Sequence, residues 1–377
     1  MSTQDKIRKI AVIIYCGIIL GLTVLLLAFP KEEFSQNENR YLAKFPEFSG
    51  ESYLSGEYMD SLSDWLSDHF PMRDWFMGCK TAFEIATGKR EIDGVYIAKD
   101  DYLIEAYDTP VNTQRICDTF RNFYEKTDQS KVDTRLMLIP TAVTIYQDKL
   151  PALAPGEDQT ATAKGIYDKT GIPSIDCSGK LYEAVPFGQL YYRTDHHWTT
   201  FGAYQGYAAY CEAKGLRPVP LEDFSAQKVT EEFAGTLYSK VNDYHHVKDD
   251  IVVYTHPDDR LTVTYTDTGE VADSLYNMEY LAEKDKYSLF LNNIHTLVEI
   301  ENANAQVEDV LVLIKDSYAN SMVPFLVHHY RKIYVFDTRY YKQGVSDFLT
   351  EHDEVTDVLI LYNMNTLDND SGIRGIY

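Results

Sequence analysis

The chain has 377 residues, 45% hydrophobic and 25% charged, which excludes a disordered, collagenous or multi-span membrane protein and allows one large domain or two. Lys+Arg number 35 against 58 Asp+Glu, a formal net charge of −23. Most of the surface therefore repels a phosphate backbone, and nucleic acid is excluded as a partner.

The acidity is uneven. The first 31 residues carry Lys6, Arg8, Lys9 and Lys31 against Asp5 alone, and Ile10 to Phe29 holds no charge. That run, IAVIIYCGIILGLTVLLLAF, has about the 20 residues a helix needs to cross a ~30 Å hydrocarbon core. It has no small-residue cleavage site of the secretory type, and it lacks the polar face of a core helix. Residues 1–31 are read as a cytoplasmic tail and an uncleaved, single-pass transmembrane anchor. The positive charges lie before the span, so the N-terminus is expected in the cytoplasm and the rest of the chain outside the cell membrane. Beyond Cys16, the cysteines at 79, 117, 177 and 211 are too irregularly spaced for a zinc ribbon or a C-x-x-C pair, and leave disulfides open.

Residues 32–93 form an extracytoplasmic lead and a helical segment. A polar stretch from Phe34 to Gly50 precedes apolar residues at helical spacing, Leu62, Trp65, Leu66 and Phe70, which predict one or two helices between Glu51 and Thr87. The segment Asp68–Asp74 breaks them as a capped turn around Pro71, and His69 is read as a turn residue.

Residues 94–377 alternate strand and helix. Short strands at Val95–Ile97 and Tyr102–Ile104 precede a helix over 113–124, a buried strand over 135–140, a helix over 160–170 and a strand at Ile175–Asp176. Near the C-terminus, strands at 310–314, 332–336 and 358–362 alternate with helices over 319–330 and 345–352. That β-α-β-α-β order predicts a mostly parallel sheet, flanked by helices and buried on both faces. The acidic, Tyr-rich segment at about 221–306 reads as a β-rich insertion, with Ile251–Tyr254 and Leu261–Tyr265 expected to pair as a hairpin.

Ligands of such sheets collect at the carboxyl ends of the strands, here Asp316–Ser317, Asp337–Thr338–Arg339 and Asn363. Ser317 sits where a buried strand meets a helix, so its N–H is among the free donors that stabilise an oxyanion. Upstream, Asp195 and His197 are two residues apart in Thr194–Asp195–His196–His197–Trp198, a spacing that lets a carboxylate hold an imidazole at Nδ1 and leave Nε2 as acceptor. Asn363 can donate its amide to the same oxyanion. Taken alone, Ser317 and the Thr194–Asp195 pair also read as helix caps; the joint placement points to a serine nucleophile. The paired histidines at 245–246 and 328–329 read as surface or packing residues. No H-x-x-x-H or H-E-x-x-H spacing seats a metal, and no cofactor is called for.

These motifs resemble the DHHW family of bacterial surface proteins, which is similar to the alginate O-acetyltransferase branch of the SGNH hydrolase-like superfamily. The resemblance runs through ENRYLAKFPEF, DHFPMRDWF, TDHHW, Phe233–Lys240 (FAGTLYSK), KDSYAN and the Asp337–Tyr340 run DTRY, in the family's order. It implies an SGNH hydrolase-like α/β fold with Asp195, His197 and Ser317 as catalytic residues, Asp-x-His preceding Ser as in that branch. It also implies Asn363, Arg339 and Tyr318 as oxyanion or substrate-binding candidates. Lys315 stands where those enzymes carry a glycine, and Asp337–Thr338–Arg339 has no glycine for a second oxyanion donor.

The implied activity is transfer of an acetyl group, through an acyl-serine, to a cell-surface or secreted polysaccharide. The donor partner is a multi-span membrane O-acyltransferase, because acetyl-CoA is not available outside the membrane. Two alternatives stay open: a carbohydrate acetylesterase using the same residues with water as acceptor, and a non-catalytic glycan-binding or scaffold protein. The 30 Tyr and 3 Trp support the glycan-binding alternative, since amphipathic aromatic faces suit sugar rings.

Overall fold

Runs of branched apolar residues too short for a helix pair into an eight-stranded sheet in the computed structural model, which describes residues 3–28, 30–35, 37–38, 40–243 and 246–376. In chain order the strands are β1 (Asp133–Ile139), β2 (Ser174–Ile175), β3 (Leu261–Tyr265), β4 (Glu270–Ala272), β5 (Leu297–Asn302), β6 (Val310–Lys315), β7 (Lys332–Phe336) and β8 (Asp357–Asn363). They lie side by side as β4-β3-β5-β7-β6-β8-β1-β2. The five strands from β7 to β2 run parallel, and β5, β3 and β4 continue the sheet antiparallel. Every residue of β6 and β8 is buried, so their sequences read as continuous apolar runs without alternation.

Parallel registry brings the ends of β6, β7 and β8 together, with Ile314 opposite Phe336 and Lys315 opposite Leu361. Asp316, Asp337 and Asn363 therefore lie along one edge of the core. On the helical side, Thr199 caps the Thr200–Lys214 helix by accepting the Gly202 N–H. Gly206 lets the buried Trp198 indole lie against that helix, since a Cβ there would sit 2.7 Å from the ring.

Two sequence expectations change within residues 221–330. Ile251–Tyr254 and Leu261–Tyr265 do not form a hairpin: the strand Asp249–Thr255 pairs with Ser225–Phe233, and β3 pairs with β4 and β5. Val263 and Tyr265 join the main core, while Ile251 and Val253 pack with Phe233 in a second cluster. Alternation marks which face of a strand is buried and leaves its partner to packing. The 221–306 segment is thus β-rich, and β3, β4 and β5 extend the main sheet. The helix expected over 319–330 shrinks to a 3-10 turn, Ser317–Ser321, and a single turn, Val323–Leu326, that starts around Pro324. Proline is tolerated there and would block a helix running through it.

Residues 1–89 with 239–245 form one compact unit, and 90–238 with 246–377 the other. In the first, Thr3–Ala28 is a helix, long and apolar enough to cross a membrane, with none of its apolar stretch buried. Three helices follow where one or two were expected, Gly50–Ser55, Glu57–Asp68 and Arg73–Ala86, the first two divided at Gly56, which takes a left-handed φ of 90°. Asp68 accepts both terminal nitrogens of Arg40 and the Ala43 N–H, and the Arg40 guanidinium lowers its carboxyl to about 2. His69 stacks on Trp65 and bonds the Trp65 carbonyl through Nδ1, a turn residue as expected. Phe29 of the apolar run, Gln36 and Asn39 of the polar lead and His245 lie outside the described residues. All five cysteines are free.

Candidate active site

Ser317 opens the turn that follows β6, and Asp316 shapes that turn. Asp316 Oδ1 accepts the Tyr318 N–H at 2.9 Å, and its Oδ2 accepts the Asn363 N–H, the Asn363 side-chain amide and the Thr366 hydroxyl, each at 2.7 Å. These donors satisfy a fully buried carboxyl whose pKa burial pushes up. As the first residue of the turn, Ser317 has an N–H without an intrahelical acceptor.

A second turn, Thr194–Trp198, supplies the imidazole. Buried Asp249 fixes its start by accepting the Arg193 N–H at 2.9 Å, the Thr194 N–H at 2.8 Å and the Thr194 hydroxyl at 2.6 Å. Within the turn, Asp195 Oδ1 accepts the His197 N–H at 2.9 Å and lies 2.6 Å from His197 Nδ1. Its Oδ2 accepts the Thr236 N–H at 2.8 Å and the Thr236 hydroxyl at 3.0 Å. Only glycine fits before Thr236, because a Cβ on Gly235 would lie 2.3 Å from the Asp195 side chain.

The two turns meet where His197 Nε2 lies 2.7 Å from Ser317 Oγ. Nδ1 faces a carboxylate and must carry the ring hydrogen, so Nε2 accepts the serine hydroxyl. The Tyr287 ring stacks on His197 at 3.7 Å with planes 9° apart. Its hydroxyl donates to the Ser317 carbonyl at 3.1 Å, so one side chain braces both partners.

Electrostatics favour a neutral base. Burial, and then the adjacent His196 ring, lower His197 to about 4 against the opposing pull of Asp195. Burial would raise Asp195, but His196, His197 and the Thr236 N–H outweigh it and hold the carboxyl far below its usual range. At neutral pH the arrangement is carboxylate, neutral imidazole and serine hydroxyl, the form in which an imidazole can take a proton from a nucleophile.

Asp195, His197 and Ser317 are thus brought into one hydrogen-bonded line. The other three candidates have partners of their own. The Asn363 amide holds Asp316, and Arg339 forks onto Asp337 at 2.8 and 2.5 Å. Tyr318 gives its N–H to Asp316 and its hydroxyl to the His196 carbonyl, although its ring lies 5.4 Å from that of His197. Sequence reasoning missed Asp249 and Tyr287, which lie in acidic or Tyr-rich runs with no local signature. Gly235–Thr236 stood in the FAGTLYSK motif with no role attached.

The DHHW protein family profile matches residues 38–109 and 86–336. Over 243 residues the chain is 25% identical to the probable alginate O-acetylase AlgJ of Pseudomonas syringae pv. tomato, a match covering 60% of this chain and 58% of that protein. The chain therefore spans under two thirds of that curated relative's length. A DHHW family protein from Eubacterium siraeum superposes with a TM-score of 0.64 at 25% identity, over 75% of this chain and 96% of that one. PatB1 of Bacillus cereus, solved with a sulfonyl adduct, superposes with a TM-score of 0.62 at 19% identity, over 75% and 98%. The architecture is the expected SGNH hydrolase-like α/β fold with a parallel-rich central sheet. By a family match that spans most of its length, the chain belongs to the DHHW protein family.

Proposed function

We propose that this protein is a membrane-anchored, extracytoplasmic serine O-acyltransferase that moves an acetyl group onto a hydroxyl of a cell-surface or secreted polysaccharide. The observation that carries this reading is the Asp195–His197–Ser317 line, with contacts of 2.6 and 2.7 Å. Similarity to a protein described as an alginate O-acetylase supports the acetyl group and the polysaccharide.

Ser317 Oγ attacks the donor carbonyl and passes its proton to His197 Nε2, while Asp195 holds the imidazolium. The Ser317 N–H stabilises the oxyanion. Collapse returns the proton to the leaving group and leaves acetyl-Ser317. A sugar hydroxyl then gives its proton to His197, attacks the acyl-enzyme and departs as the acetyl ester, while His197 passes that proton to the Ser317 oxygen and restores the serine hydroxyl. The apolar Thr3–Ala28 helix anchors the enzyme, its positive end in the cytoplasm. A multi-span membrane O-acyltransferase supplies the acetyl group from the inside.

The test uses full-length protein in detergent, a fluorogenic acetyl ester and a soluble oligosaccharide acceptor. The expected result is acetylated sugar by mass spectrometry, with ester consumption accelerated by acceptor. Ester cleavage without sugar acetylation replaces the transferase with an acetylesterase. Neither turnover nor fluorophosphonate labelling of Ser317 leaves a glycan-binding module.

A further inference from the structure

A cluster of metal-ligating side chains in the larger unit is not used by the chemistry above. His256 and Asp259 lie on the turn between the Asp249–Thr255 strand and β3, and His328 follows the Val323–Leu326 turn. No spacing in the sequence links position 328 to 256 and 259, and folding alone joins them. Each residue offers one ligand atom, and the three atoms lie within 4.8 Å of one another.

Two of these side chains carry buried atoms with no hydrogen-bond partner, Asp259 Oδ1 and His328 Nε2. The His328 side chain is only 10% exposed, and its Nε2 lies 3.5 Å from Asp259 Oδ1. That separation is too long for a good hydrogen bond. It does fit a shared ion, since two ligands ~2.1 Å from a tetrahedral zinc sit about 3.4 Å apart. Asp259 Oδ2 already accepts the His256 N–H at 3.0 Å, so the carboxylate is oriented before an ion arrives. His256 contributes the third atom; its Nδ1 otherwise accepts only a long 3.2 Å bond from the Asp258 N–H. Phe224 packs edge-on against both imidazoles, with centroids 5.4 and 5.2 Å away, and gives the cluster an apolar wall.

We propose that His256, Asp259 and His328 bind a divalent transition-metal ion of the zinc type. Two imidazoles and one carboxylate are the donors such ions prefer, whereas calcium and magnesium take oxygen ligands. The ion ties the turn before β3 to the segment following the Ser317 turn, and its contribution is to stability. This proposal does not depend on the catalytic reading.

The experiment is zinc titration of full-length protein in detergent after chelator stripping, with cobalt as a spectroscopic substitute. Wild type is expected to bind zinc at this site, to show tetrahedral ligand-field absorption with cobalt, and to melt several degrees higher with zinc. Asp195, His196 and His197 also lie close enough to attract an ion, so the site is assigned by variants. His197→Ala should keep one zinc per chain, whereas Asp259→Asn and His328→Gln in that background should lose it. Absence of zinc and cobalt binding in wild type overturns the proposal without any variant. Undiminished binding in folded Asp259→Asn and His328→Gln proteins overturns it as well.

Discussion

Two hydrogen-bonded Asp–His pairs of the larger unit, Asp195–His197 and Asp267–His295, differ in what faces the second ring nitrogen. His197 Nδ1 meets Asp195 at 2.6 Å, and its Nε2 meets the Ser317 hydroxyl at 2.7 Å. His295 Nδ1 meets Asp267 at 2.8 Å, and its Nε2 meets the Asn292 carbonyl at 2.9 Å. A carbonyl only accepts, so it offers the His295 Nε2 no hydrogen to take up. A hydroxyl can donate, so His197 keeps its acceptor. A carboxylate beside an imidazole is therefore not sufficient for a base; in the proposed mechanism the Ser317 hydroxyl on the far nitrogen supplies what the carbonyl beside His295 does not.

The largest effect that would break this comparison comes from removing the nucleophile. Ser317→Ala should lower acetyl-ester turnover by ~10⁴-fold or more, whereas His295→Gln should leave turnover within about threefold and lower only the melting temperature. Equal losses of turnover in two folded variants would erase the distinction. Next in size, Asp195→Asn should cost roughly 10⁴-fold in kcat by favouring the wrong imidazole tautomer, read in the same assay with circular dichroism to confirm folding.

Asn363→Ala sharpens the site's edge. Because the amide holds buried Asp316, the expected result is a stability loss of ~1–3 kcal/mol in denaturant unfolding. A fall of ~10²–10³ in kcat at unchanged stability would instead return Asn363 to the oxyanion position.

The pH dependence tests the electrostatics. With His197 lowered to about 4, kcat/KM should hold at neutral pH and fall only as pH drops through about 4. The unfolded chain takes up that proton first, near the ordinary histidine value of ~6.5, so the stability from neutral His197 is complete above that pH. It is lost as pH falls toward about 4. His196→Ala removes one cause of the depression and should move the acid limb upward. A limb near the ordinary histidine value in wild type would mean that His197 is not held in this environment. The smallest effect belongs to Tyr287→Phe, which keeps the stack on His197 and loses the bonds to the Ser317 carbonyl and Ser321 hydroxyl. A threefold to tenfold drop in kcat with KM unchanged is expected, on the order of one hydrogen bond.

Much of the frame was legible in the chain. The strands β6, β7 and β8 follow from apolar runs bounded by polar residues, and the Asp195–His197 contact follows from a two-residue spacing. Asp249, Thr236 and Tyr287 were not legible as site residues, because each acts through a contact between segments distant in sequence. The Asn363 amide shows a partner that local sequence could not name. Its place at a strand end was read correctly, while its partner, Asp316, was decided by a neighbouring strand.

By itself, the sequence determined the apolar helix at the N-terminus, the buried parallel strands and the acceptor geometry of the Asp-x-His turn. All three are local, set by hydropathy over one helix length, by strand-length runs and by the reach of one carboxylate. Tertiary structure alone decided that β3 would leave its neighbour for the main sheet, and that Ser317 would meet an imidazole 120 residues away. It also decided that one histidine would face a hydroxyl and the other a carbonyl. Local periodicity tells a residue whether to be buried; packing of distant segments decides what it meets there.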